Sequence, residues 1–131
     1  MDVGRLATDI AWVAIGGALG AVLRFLAYTA MPRIAFPWAS LAVNLLGAFI
    51  LGWIFLAAGM NHAPRLFLAV GVLGAFTTLS TFSVETIELL RENRHLFALT
   101  NVLANGIGGP VMAWLGWRAS VTFGTLGAGG A

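Results

Sequence analysis

Four long stretches almost free of charge constrain this chain more than any other feature. Arg24 is the sole charge between Asp9 and Arg33; residues 34–64 hold only His62; residues 66–84 are uncharged; and from His95 to Trp117 only the edge histidine can ionise. Each stretch supplies the ~20 residues a helix needs to cross a bilayer core. Hydrocarbon offers backbone groups no partners, so such spans are read as helices. Charged residues make up 9% of the 131 and hydrophobic ones 60%, whereas a soluble domain is about 25% charged. The expected fold is an all-α integral membrane protein, one four-helix unit over residues 1–131 with spans near 10–30, 38–59, 66–90 and 97–117.

Several function classes fall away. There is no cysteine, hence no disulfide or thiolate chemistry, and a net charge of +2 is no footprint for nucleic acid. Asp2, Arg5 and Asp9 precede the first apolar run, unlike the basic start of a secretory signal, so that run is expected to stay as a span. Neither HExxH nor a P-loop nor CxxC occurs, no serine–histidine–acid set is in reach, and both histidines sit at loop edges. An enzyme is not expected.

The stretch GVLGAFTTLSTFSVE, residues 71–85, breaks the apolar rule. It carries Thr77, Thr78, Ser80, Thr81 and Ser83 together with Gly71 and Gly74. Unpaired hydroxyls in hydrocarbon cost several kcal/mol, so this density implies another helix, an ion or a wet path. Glycine lets a helix open or another backbone come close. In an ideal helix Thr77 and Thr81 share a face, as do Thr78 and Phe82. Glu85, nearest the hydroxyls, either lines a polar path or belongs with Glu88, Arg91, Glu92 and Arg94 to a solvated helix end.

Other polar residues leave two readings open. Arg24 lies about two-thirds through the first span, where a charge is a functional candidate unless it snorkels to the interface. Asn44 either glues helices together or offers its amide to an anion. Asn101 and Asn105, four apart, form one stripe that bonds helices or lines a pore. Trp12 and Tyr28 suit the interfaces, Gly16 and Gly20 form a GxxxG pair, and His62 reads as a loop residue. The glycine-rich tail beyond Arg118 reads as flexible.

The arginines give no orientation. With four spans, Arg5, Arg65 and Arg118 face one side while Arg33, Arg91 and Arg94 face the other. Without a positive-inside bias both orientations insert. Four short helices cannot easily enclose a conduit and also pack their own interior, which points to an antiparallel, dual-topology dimer.

At GVLGAFTTLSTFSVE, GALGAVLRF (residues 17–25) and NLLGAF (residues 44–49), the sequence resembles the Fluc (CrcB) family of bacterial fluoride channels. The resemblance implies a multi-pass protein of the cell inner membrane, a homodimer in antiparallel orientation, that lets fluoride leave the cytoplasm passively and so limits its toxicity. It implies a third helix broken near its middle, where the Gly74 and Thr77 carbonyls hold a structural sodium ion at the dimer interface. Arg24 then stands at a vestibule, and the anion path is lined by Asn44, Leu79, Thr81, Phe82, Ser83, Glu85, Asn101 and Asn105. Two departures stand out. Leu79 replaces the first pore phenylalanine and has no positive ring edge, and Asn101 and Asn105 occupy a face that elsewhere carries tyrosine and serine. The alternatives are a small dual-topology multidrug exporter, for which only Glu85 could carry the proton, a non-conducting membrane scaffold subunit, and a heterodimer with a homologous chain.

Overall fold

The structure is a computed structural model and describes residues 2–31, 35–56 and 61–128. Pro32 and Arg33 of the first connection, Gly59 at the expected end of the second span, and residues 129–131 lie outside them. Every regular element among the described residues is helical: α1 (Val3–Ala30), α2 (Trp38–Leu56), α3 (His62–Arg65), a π-helical segment (Leu66–Leu73), α4 (Gly74–Phe76), α5 (Leu79–Arg91) and α6 (His95–Ala128). Three stretches are long and apolar enough to cross a membrane, Val3–Ala30, His62–Arg91 and His95–Thr122, and the shorter α2 is apolar over Trp38–Ile54. Four helical units thus form the fold, and the third is broken.

Helix ends exceed the hydropathy spans because polar residues can cap them. Asp2 accepts the Gly4 N–H at 3.1 Å, so α1 starts at Val3 and not near residue 10. Helix α5 stops where Asn93 adopts φ 58. The Arg94 N–H bonds Leu89 O and the Asn93 N–H bonds Leu90 O, the paired closure of a Schellman motif. Helix α6 passes the expected end at Trp117 and reaches Ala128, so the residues just beyond Arg118 are helical. Ser120 there is buried and donates to Trp117 O.

Glycine faces set the packing. Helix α1 lies along the π segment and α2 along α6. A Cβ on Gly16 would sit 3.1 Å from Gly71 Cα, and one on Gly20 would sit 2.9 Å from Val72 C. Gly52 meets Ala113 and Gly116 meets Phe49 in the same backbone-to-backbone manner. Without side chains between them, helices approach closely enough for dense van der Waals contact, the main driving force where lipid competes for apolar groups. His62 Nε2 lies 3.1 Å from Asp9 Oδ1, tying the start of the third unit to α1. Buried apolar residues are few, among them Leu41, Val43, Val72, Leu73 and Leu89, whereas Ile15, Val22 and Phe25 of α1 and Leu99, Leu103 and Ile107 of α6 point outward.

Candidate functional site

The third unit breaks at Thr77 and Thr78, whose backbones are extended (ψ 156 and φ −152, ψ 114). The break falls near the middle of the third unit, where the family resemblance expects it, at Thr77 and three residues past Gly74. Asn44 supplies the reason. Its side chain carries a C=O and an N–H group in the same relation as a peptide. Asn44 Oδ1 accepts the Thr78 N–H at 2.9 Å, while Asn44 Nδ2 donates to Thr78 O at 3.2 Å. Thr78 is therefore paired sideways to α2 instead of along its own helix. Gly47, one turn on from Asn44, leaves room for the Thr77 methyl group.

Two donors that a continuous helix would send backwards are consequently diverted. The Thr78 N–H, which would serve Gly74 O, goes to Asn44 Oδ1. The Thr81 N–H, which would serve Thr77 O, goes to the Thr78 hydroxyl at 3.1 Å and caps α5. The Gly74 and Thr77 carbonyls lose their helical partners at the break, and carbonyl oxygens suit a hard cation. The chemistry of this donor pair fits sodium.

A second polar arm runs from Asn44 into α6. Asn44 Nδ2 also donates to Asn105 Oδ1 at 2.9 Å. Asn105 Nδ2 donates to Asn101 O and Asn101 Oδ1, both at 3.0 Å. Asn101, at 0% exposure, donates to Thr86 Oγ1 at 3.0 Å, and the Thr86 hydroxyl donates to Phe82 O at 2.8 Å. The pore candidates Asn44, Asn101, Asn105 and Phe82 thus belong to one continuous string. Within the chain both N–H groups of Asn44 and both of Asn105 are occupied.

Glu85 is half-buried and accepts the hydroxyl of Ser40, which is fully buried one turn before Asn44. Along with Tyr28, Thr81, Glu88, Glu92 and Arg94 it lines a cavity of about 700 Å³. Tyr28 is half-buried, and its Oη is buried beside Ser40, Thr81 and Glu85. Arg24 is half-buried and opens with Ala21, Phe25, Tyr28 and Thr29 onto a cavity of about 350 Å³. Thr81 Oγ1 accepts the Thr78 hydroxyl at 3.0 Å, whereas Ser83 turns back to Leu79 O at 2.8 Å and is exposed. Leu79 is 76% exposed and touches little of its own chain. The break prevents Thr77 and Thr81 from sharing one helical face.

Sequence reading marks neither Ser40 nor Thr86 for the site, and Tyr28 only as an aromatic suited to the interface. Ser40 and Asn44 stand four apart, the same signal that singled out Asn101 and Asn105. Thr86 carried none, because it sits among the charged residues of the helix end.

The fold and site define a class: small multi-pass helical membrane proteins whose broken span is held open by a side-chain amide from a neighbouring helix. Residues 11–117 match the family described as CrcB-like protein, Camphor Resistance (CrcB). The chain is 44% identical over 116 residues to the fluoride-specific ion channel FluC of Magnetococcus marinus, covering 82% of this chain and 94% of that protein. It is 43% identical over 120 residues to the protein of the same name from Geobacter sulfurreducens (86% and 97% covered) and 39% identical over 119 residues to that of Methanococcus maripaludis (88% and 98%). This chain belongs to the CrcB family.

Proposed function

We propose that the protein is a fluoride-selective passive channel that releases fluoride from the cytoplasm and protects the cell from its toxicity. The ion's identity rests on one observation, the likeness along nearly the whole chain to channels named fluoride-specific. The polar string within apolar helices supports a conduit. An anion entering a low-dielectric layer must exchange water for oriented donors. Arg24 raises anion concentration at the mouth. Asn44, Leu79, Thr81, Phe82, Ser83 and Glu85 line the path, with Asn101 and Asn105 behind Asn44, and an arriving anion competes with Thr78 O or Asn105 Oδ1 for an Asn44 N–H.

The working unit is an antiparallel homodimer in the cell inner membrane, one four-helix unit per chain. The apolar outer faces of α1 and α6 and the balanced arginines support this arrangement, and both leave lipid as the remaining neighbour. The Gly74 and Thr77 carbonyls would hold a structural sodium ion at the dimer interface, whose positive charge would offset their dipoles at the break. The test is efflux from liposomes that contain only the purified protein, read with a fluoride electrode against chloride as control. Rapid fluoride release with negligible chloride release is expected. Silence from folded dimers would remove the self-sufficient channel and leave a missing partner chain or a scaffold.

A further inference from the structure

We propose that Asn105 and Asn101 are positioning residues: a one-directional hydrogen-bond chain from Thr78 through Asn44, Asn105 and Asn101 to Thr86 fixes the Asn44 amide and hence the geometry of the break. The direction is forced by the backbone. The Thr78 N–H needs an acceptor, so Oδ1 of Asn44 faces it and the amide N–H groups face Thr78 O and Asn105. Asn105 must then turn its Oδ1 toward Asn44 and its Nδ2 toward Asn101 O and Oδ1. With its own Oδ1 taken, Asn101 turns Nδ2 to Thr86, whose hydroxyl ends the chain on Phe82 O. Each amide orientation follows from the one before it. A serine at these sites could swivel its hydroxyl and reverse the order; an amide cannot without breaking two bonds.

The chain also joins both ends of the first α5 turns. It grips Thr78 at the N-cap and Phe82 one turn later, and anchors both to α2 and α6. Asn101 is fully buried, and Asn105 turns its Nδ2 onto Asn101 and only its Oδ1, an acceptor, toward Asn44, so neither offers a donor at the break. They act through Asn44. This inference rests on the channel reading only where it concerns flux.

The test uses the purified full-length protein and its Asn105→Ala, Asn105→Ser, Asn101→Ala, Asn44→Ala and Asn44→Ala/Asn105→Ala forms. Hydrogen exchange at the Thr78 amide and fluoride flux with a chloride control are both measured. Asn105→Ala is expected to speed Thr78 exchange about fivefold, the loss of one interhelical hydrogen bond. Asn101→Ala should do so more weakly, and Asn105→Ser should recover part of the protection. Asn44→Ala should speed exchange further, and adding Asn105→Ala to it should change nothing more. Multiplying effects in the double variant, or Thr78 exchange unmoved by Asn105→Ala, would overturn the proposal, the latter even if flux is lost, because Asn105 would then act on the ion itself. If no form passes fluoride yet exchange follows this order, the channel reading fails and the positioning role stands.

Discussion

Replacing Gly20 by alanine probes the contact on which the broken span rests. The new Cβ would run into Val72 O and lie 2.9 Å from Val72 C and 3.0 Å from Val72 Cα, against 3.5–4.0 Å for relaxed carbon contacts. All three obstacles are backbone, so no side-chain rotation relieves them, and α1 must part from the π segment by roughly 1 Å or more. Overpacking of this kind costs about 1–3 kcal/mol. The displaced strip, Val72, lies five residues before Thr77, so fluoride flux should fall with stability. Gly17→Ala is the control, since nothing lies within 4 Å of its Cβ position, and its effect on chain unfolding should stay within about 0.5 kcal/mol. Denaturant-induced unfolding in detergent or bicelles, followed by tryptophan fluorescence, measures both. Equal stability of Gly20→Ala and Gly17→Ala would refute the close backbone contact.

Other substitutions address the polar site. Asn44→Asp removes both amide donations and sets a carboxylate against Thr78 O and Asn105 Oδ1, so fluoride efflux from liposomes should drop at least about tenfold, two lost hydrogen bonds of ~0.6–1 kcal/mol each; unchanged efflux would detach Asn44 from the path. Leu79→Phe restores a ring edge at a position 76% exposed on its own chain, and an added edge contact of ~0.5–1.5 kcal/mol should raise flux several-fold; a fall would show that leucine is suited to this pore. Ser40→Ala strips Glu85 of its hydroxyl donor, and a half-buried carboxyl left without its partner costs about 1–3 kcal/mol, so unfolding should come at lower denaturant, whereas a double Ser40→Ala/Glu85→Gln form should regain part of the loss.

Much of this protein was legible in its sequence. Hydropathy is a sum over neighbours, so the apolar spans, the misfit hydroxyls of residues 71–85, Arg24 within the first span and Asn44 among apolar neighbours could be read without a fold, and three short motifs sufficed to indicate the family. Hydrogen-bond partners are not local. Asn44 meets Thr78 across 34 positions and Asn105 across 61. Only the packing of α2 between the break and α6 decided that the helix opens at Thr77 and Thr78, that the Tyr28 hydroxyl lies beside Glu85, and that Ser40 and Thr86 join the site. The physical reason is that burying a polar group in a membrane leaves it dependent on whichever partner the neighbouring helix presents. Which residues are polar is written in the sequence; which of them find each other is set by helix packing.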